Sequence, residues 1–247
     1  MKTSTEDWYK TWFDTFYYHQ LYQNRNYDEA SLFIENLVNY LSLSKDDHVL
    51  DLACGKGRHS IYLNQLGFNV LGLDLSVNSI REANKSSNNR LRFDVHDMRN
   101  VYQENQFDVV LNLFTSFGYF KEESENILVL KSINKMLHEK GRLVLDFINC
   151  RKAISNLVYS EIKEIDEVRF EISRKFQDKK IIKEINVFHG NEQLKFVEMV
   201  QALELKDFQK FFKIAGFNLL ETFGDYQLNN FDEKNSDRLI LIAESNL

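Results

Sequence analysis

Val49-Leu-Asp-Leu-Ala-Cys-Gly-Lys-Gly-Arg-His-Ser60 is the most informative segment of this 247-residue chain. A short apolar run enters a turn carrying two glycines, and residues from Arg58 to Leu66 then take up helical spacing. Gly55 and Gly57 let the backbone turn sharply and let a ligand approach the main chain within van der Waals distance. A strand that passes through such a turn into a helix is the opening unit of a parallel α/β sheet.

The same alternation continues from Asp47 to Ile148. Strands are expected at His48 to Ala53, Asn69 to Asp74, Leu91 to Val95, Phe107 to Leu113 and Arg142 to Ile148, with helices at Arg58 to Leu66, Ser76 to Lys85 and Glu122 to His138. Ser76 is placed as an N-cap, and Gly67 and Gly141 as C-terminal caps. Upstream lie an aromatic segment, Trp8 to Tyr22, and a helix from Asp28 to Leu41 with Leu32, Ile34, Leu37, Val38 and Leu41 on its apolar side. Downstream the period changes to two. Segments near 160–166, 168–176, 181–188 and 194–203 alternate apolar and polar residues around Gln-Asp-Lys-Lys and His-Gly-Asn-Glu turns, which predicts an antiparallel meander. A helix from Lys206 to Ala215, capped by Gly216, then leads to strands at Phe217 to Phe223 and Arg238 to Ala243. The predicted class is α/β, a Rossmann-like seven-stranded, mostly parallel sheet ending in an antiparallel hairpin. Its organisation is a lid segment over 1–46, a core over 47–150 and 204–247, and an inserted antiparallel subdomain over 151–203.

Composition narrows the function. A formal charge of -6 disfavours nucleic acid as a partner and points to small molecules or proteins. No run is long and apolar enough for a membrane span, and the acidic, aromatic N-terminus does not read as an export signal, so a cytoplasmic location is expected. Cys54 and Cys150 lack partners at metal-binding spacing and are expected as buried thiols, so no metal site is predicted. The chain contains no proline, and its turns fall to Gly, Asn, Asp and Ser.

The ligand class turns on charge. Asp74 ends the second strand, 23 residues after Asp51, where a carboxylate accepts hydrogen bonds from ribose hydroxyls. Gly55-x-Gly57-x-x-Ser60 is one residue from a dinucleotide fingerprint, so an NAD-dependent oxidoreductase is an alternative. Asp51, however, ends the first strand just before the turn, where it would repel a pyrophosphate and attract an ammonium or a sulfonium. His96-Asp97-Met98 follows the third strand, offering a carboxylate to an adenine amine and a thioether to its ring.

Taken together, DLACGKG, VLGLDLS, HDM and FDVVLNLFTSFGYF resemble the successive motifs of class I methyltransferases that use S-adenosylmethionine, over roughly Asp47 to Ile148. The inserted meander resembles bacterial small-molecule enzymes of that class, including amino-sugar N-methyltransferases. The resemblance implies S-adenosylmethionine as cofactor and S-adenosylhomocysteine as product. It assigns Asp51 and the Gly55/Gly57 turn, with Ala53 and Cys54, to the methionine end. Asp74 and Leu75 fall to the ribose, Asp97 and Met98 to the adenine, and Asn112, Leu113 and Phe114 to the underside of the cofactor. Tyr18 and Tyr22 are implied as lid contacts, although the aromatic segment also reads as a helix face packed on the core. Ala53 departs from a position that is often glycine in the family. Arg25 or Arg58 is expected to meet the cofactor's carboxylate.

For the acceptor the sequence offers candidates rather than an assignment. Catalytic candidates are His19, Tyr119 and Tyr226, and substrate contacts are Tyr17, Ser116, Phe117 and Glu198. The Asn/Asp-Pro-Pro-Tyr/Phe motif of enzymes that methylate amines on DNA bases is absent, as is a Pro-Cys nucleophile. A neutral amine needs no strong base, which favours a small amine acceptor over an oxygen. A noncatalytic module that only binds the cofactor is a further alternative, and dimerisation through an exposed edge of the meander is expected.

Overall fold

The computed structural model describes residues 8–23 and 27–246. Three helices open it: α1 (Trp8–Trp12), α2 (Phe16–Leu21) and α3 (Tyr27–Leu41). β1 (His48–Leu52), α4 (Arg58–Gln65), β2 (Asn69–Asp74), α5 (Val77–Ala83), β3 (Leu91–Val95), β4 (Phe107–Asn112), α6 (Glu123–Met136) and β5 (Leu137–Ile148) follow. After α7 (Cys150–Ser155) come β6 (Ser160–Ile165), β7 (Val168–Gln177), β8 (Lys180–His189) and β9 (Glu192–Gln201). The chain ends with α8 (Leu205–Ala215), β10 (Phe217–Phe223) and β11 (Arg238–Ser245).

The seven-stranded sheet has the order β10-β11-β5-β4-β1-β2-β3, and β11 alone runs antiparallel to its neighbours. Val49 to Leu52 are all buried, as expected of a central parallel strand covered on both faces. Alternate residues feed two apolar layers. Leu50 and Leu52 join α6 and α8 through Val129, Leu130, Ile133, Phe208 and Phe212, while Val49 joins α3 and α4 through Phe33, Ile34, Leu37 and Leu63. The second sheet, β6-β7-β8-β9, is wholly antiparallel. Its β7–β8 hairpin turns at Asp178 and Lys179, both at positive φ, the two-residue geometry that matches strand twist. Val168, Phe170, Ile172, Ile185 and Val187 bury one face of this sheet against the core. Among the described residues no helix is long and apolar enough to cross a membrane.

Several local expectations are corrected. Gly141 does not cap α6. The helix ends at Met136, Leu137 is already extended, and Gly141 lies inside β5, where a Cβ would come within 2.9 Å of the His138 carbonyl oxygen. In α3 the buried stripe is Ala30, Phe33, Ile34, Leu37 and Leu41, and Leu32 is 39% exposed, because Phe33 supplies the turn-to-turn spacing that Leu32 breaks. The first strand stops at Leu52, since Ala53 takes a positive φ, and α7 was not anticipated.

Candidate active site

A cavity of about 690 Å³ opens over the carboxyl ends of β1 to β5, between them and the second sheet. Its floor begins where β1 ends. Ala53 and Cys54 both donate their amides to the Leu73 carbonyl, at 2.7 and 3.0 Å, which swings the chain toward β2. Gly55, at φ +58, donates its amide to Asp74 Oδ2 at 2.8 Å, and a Cβ built there meets nothing within 4 Å. Gly57 serves a different purpose. At φ +79 it precedes α4, and a Cβ would lie 2.5 Å from the Phe93 ring, so it is needed for packing and does not line the cavity.

Asp51 and Asp74 both face the cavity from strand ends. Asp51 accepts from Ser60 Oγ at 2.5 Å, yet burial pushes its carboxyl up to about 6. Asp74 takes one amide on each oxygen, from Gly55 and from Ser76 at 2.8 Å, and burial raises it as well. Ser76 caps α5 as expected. Two carboxylates withdrawn from bulk water create a place where a cation is welcome. At the end of β3, Asp97 and Met98 line the same cavity. Burial works to raise Asp97, but Arg99 holds it below its ordinary value through a fork from Nε at 3.0 Å and NH2 at 2.6 Å. Arg99 also reaches Glu125 at 2.8 Å. Arg99 is a site residue beyond those expected, although Asp-x-Arg spacing is a recognisable fork.

The turn after β4 forms the next wall. Leu113, Phe114, Thr115, Ser116 and Tyr119 line it, whereas Asn112 is buried behind, donating Nδ2 to the Leu52 carbonyl at 3.0 Å. Phe114 and Thr115 both sit at φ +60. They are held by Asp146, whose Oδ2 accepts the Phe114 amide at 2.8 Å and whose carbonyl accepts the Thr115 amide at 2.9 Å. Arg238 pairs with Asp146 Oδ1 at 2.7 Å, and the Arg58 guanidinium lies 4.0 Å over the Phe114 ring. Asp146 and Arg238 were not foreseen, because their partners are remote in sequence.

The roof comes from the N-terminal helices and β8–β9. Trp8, Phe13, Tyr18, His19 and Tyr22 line it, with Ile181, Glu198 and Val200 opposite. Glu198 accepts from Trp12 Nε1 at 2.7 Å and from the Tyr22 hydroxyl at 2.8 Å, and it faces Lys183 at 3.4 Å. Lys183 also donates to the Tyr22 hydroxyl. Asp14, between α1 and α2, accepts from Ser76 Oγ and from the Asn78 amide at 3.0 Å, tying this N-terminal segment, a strap across the cavity, to α5.

Besides Gly57 and Asn112, three further expected site residues lie away from the cavity. Tyr17 turns away toward Glu192 at 3.2 Å and His189 at 3.3 Å, on the far end of the second sheet. Phe117 is fully buried against Phe208. Tyr226 sits behind Phe114, where burial and the Asp146 carboxylate push its hydroxyl far up, so it neither reaches the cavity nor titrates near neutrality. Arg58 lines the cavity, and Arg25 lies outside the described residues.

A family model described as a methyltransferase domain matches residues 43–216. The Bacillus subtilis (strain 168) protein YqeM, a methyltransferase by provisional name, is 28% identical over 240 residues, covering 92% of this chain and 94% of that one. An S-adenosylmethionine-dependent methyltransferase from Clostridium acetobutylicum ATCC 824 superposes with a TM-score of 0.79 at 21% identity, over 93% of this chain and 96% of its own. CalS10, an amino pentose methyltransferase from Micromonospora echinaspora solved with S-adenosylmethionine bound, gives 0.68 at 17% identity, over 93% and 97%. With its sheet order, strand-end carboxylates and the span of the family match, the chain belongs to the methyltransferase domain family and has the fold of its S-adenosylmethionine-dependent members.

Proposed function

We propose that this protein transfers the methyl group of S-adenosylmethionine to a small-molecule amine. The observation that carries the reading is a single cavity that joins Asp51, Gly55, Asp74 and Asp97 to a wall of hydroxyls and aromatic rings. The residues present fit the cofactor. Open space above Gly55 admits a ligand against the backbone, the Asp74 oxygens keep lone pairs for ribose hydroxyls, and Asp97 is held ionised as an acceptor for an adenine amine. Asp51 attracts the ammonium, Arg58 is positioned for the carboxylate, and Leu113 and Phe114, without Asn112, form the underside. Tyr18 and Tyr22 close the lid.

The cofactor supplies an electrophilic methyl carbon on a sulfonium. The chain's part is to hold donor and acceptor in line and keep water out, an effect worth on the order of 7–11 kcal/mol in favourable cases. The cavity runs past Ser116 and Tyr119 to Ile181, Glu198 and Val200, leaving space for an acceptor that a purely cofactor-binding module does not need. Tyr119 gives its proton to the Thr115 carbonyl and Glu198 is engaged by Trp12, Tyr22 and Lys183, so neither offers a ready base. A neutral amine requires none. CalS10 is an amino pentose methyltransferase, a description consistent with this choice.

Calorimetric titration with S-adenosylmethionine, S-adenosylhomocysteine and NAD, alongside an Asp74→Ala variant, tests the reading. Binding of both adenosyl ligands that is lost in the variant supports it, and binding of NAD alone sinks it. Labelled methyl transfer across matched amine and alcohol panels then tests the acceptor atom.

A further inference from the structure

The turn after β4 carries the Thr115 and Ser116 hydroxyls, and the bonds around them leave each one direction in which to act. Arg238 NH2 donates to Thr115 Oγ1 at 2.9 Å. A guanidinium has no lone pair to offer, so the Thr115 proton must go elsewhere, and no described residue accepts it. Ser116 is set the opposite way. Its Oγ donates to the Leu113 carbonyl at 2.9 Å, and its remaining capacity is to accept. Tyr119 likewise spends its proton on the Thr115 carbonyl. All three residues line the cavity.

This polarity is enforced from behind. Asp146 is fully buried and takes Arg238 Nε on one oxygen, and the Phe114 amide and Tyr226 hydroxyl on the other. The same ion pair holds Phe114 and Thr115 in consecutive left-handed conformations that non-glycine residues seldom adopt. Arg238 therefore fixes both where the Thr115 hydroxyl sits and which way its proton faces.

We propose that Thr115 and Ser116 form a polarity-coded subsite selecting a primary or secondary amine that carries an oxygen on the neighbouring carbon, an inference that rests on the amine methylation proposed above. Thr115 donates to that oxygen, and Ser116 Oγ accepts amine N–H bonds. Accepting those bonds leaves the nitrogen lone pair free for the methyl carbon and sets negative dipoles beside the nitrogen as positive charge develops. The lone pair forms the N–C bond, the C–S electron pair returns to sulfur, and an N–H proton leaves to solvent afterwards. Asp146 and Arg238 act as positioning residues.

The test uses full-length protein saturated with S-adenosylhomocysteine, titrated calorimetrically with trans-2-aminocyclohexanol, cyclohexylamine and cyclohexanol. The amino alcohol is expected to bind about tenfold more tightly than cyclohexylamine, the worth of one added hydrogen bond. Thr115→Val should erase that preference while leaving cyclohexylamine binding in place, and Thr115→Ser should retain it. Ser116→Ala should weaken both amines alike. Arg238→Met should reduce the preference with S-adenosylhomocysteine still bound. Equal affinity for amino alcohol and amine in the parent protein, a preference that survives Thr115→Val, or no binding of any of the three overturns the inference alone. Failure to bind S-adenosylhomocysteine overturns the cofactor reading, and this inference with it.

Discussion

At the β1–β3 end of the cavity the contacts join residues close in sequence: Ser60 to Asp51 spans 9 positions, Gly55 to Asp74 spans 19, and Arg99 to Asp97 spans 2. At the β8–β9 end they join residues far apart: Trp12 to Glu198 spans 186, Tyr22 to Glu198 spans 176, and Lys183 to Tyr22 spans 161. The first end is made largely by backbone turned toward strand-end carboxylates. The second is made by side chains that meet only when the strap has crossed the sheet. A site built from local turns is set once its strands pair, whereas the roof depends on long loops closing, which costs chain entropy and leaves it easier to open.

Breaking the local end should have the larger consequence. Gly57→Ala meets both a positive φ and the Phe93 ring at 2.5 Å, and should lower unfolding free energy by about 3 kcal/mol in denaturant titration. Gly55→Ala, with open space around its Cβ, should cost only about 1 kcal/mol of stability while obstructing the ligand that fills that space. If the two variants prove equally stable, the distinction drawn between those glycines is wrong. Asp74→Ala should weaken S-adenosylhomocysteine by roughly 100-fold, the loss of two hydrogen bonds to a charged acceptor. Unchanged affinity in the variant would remove Asp74 from the cofactor's ribose.

The long-range end can be opened separately. Glu198→Gln leaves the mostly buried Lys183 without its counter-charge and should cost about 2 kcal/mol, with faster proteolysis of the N-terminal helices. Adding Lys183→Met should restore much of it, and a double variant no better than the single one would argue against the pair as the tie. Burial already lowers Lys183 from its ordinary value, so the deficit should be smaller at high pH, where the lysine is neutral.

A last contrast between the two ends is set by pH. Burial raises Asp51 from 3.8 to about 6, so in the free protein the stability it contributes declines as pH climbs through that window, because the unfolded chain ionises first. Ligand affinity runs the other way. A bound ammonium favours the ionised form, so S-adenosylhomocysteine should bind up to about tenfold more weakly per pH unit below about 6 and level off above it. Asp51→Asn should flatten the profile, and a slope that persists in that variant would assign it to another group.

The parallel core and most of the β1–β3 end of the cavity were legible in the sequence, because strand, glycine turn and terminal carboxylate lie within one short segment each and their spacing carries the geometry. So was the meander, whose alternation and two-residue turns are local signals. Arg99 was within reach of the same reading. Packing of the layers turned Tyr17, Phe117 and Tyr226 away from the cavity, set Asn112 to brace β1 and set Gly57 against Phe93. It alone joined Glu198 to Trp12, Tyr22 and Lys183, and Arg238 to Asp146 and Thr115. Periodicity tells which face of an element is apolar, but which remote side chain occupies the space beside a hydroxyl or a carboxylate is fixed by how the layers pack.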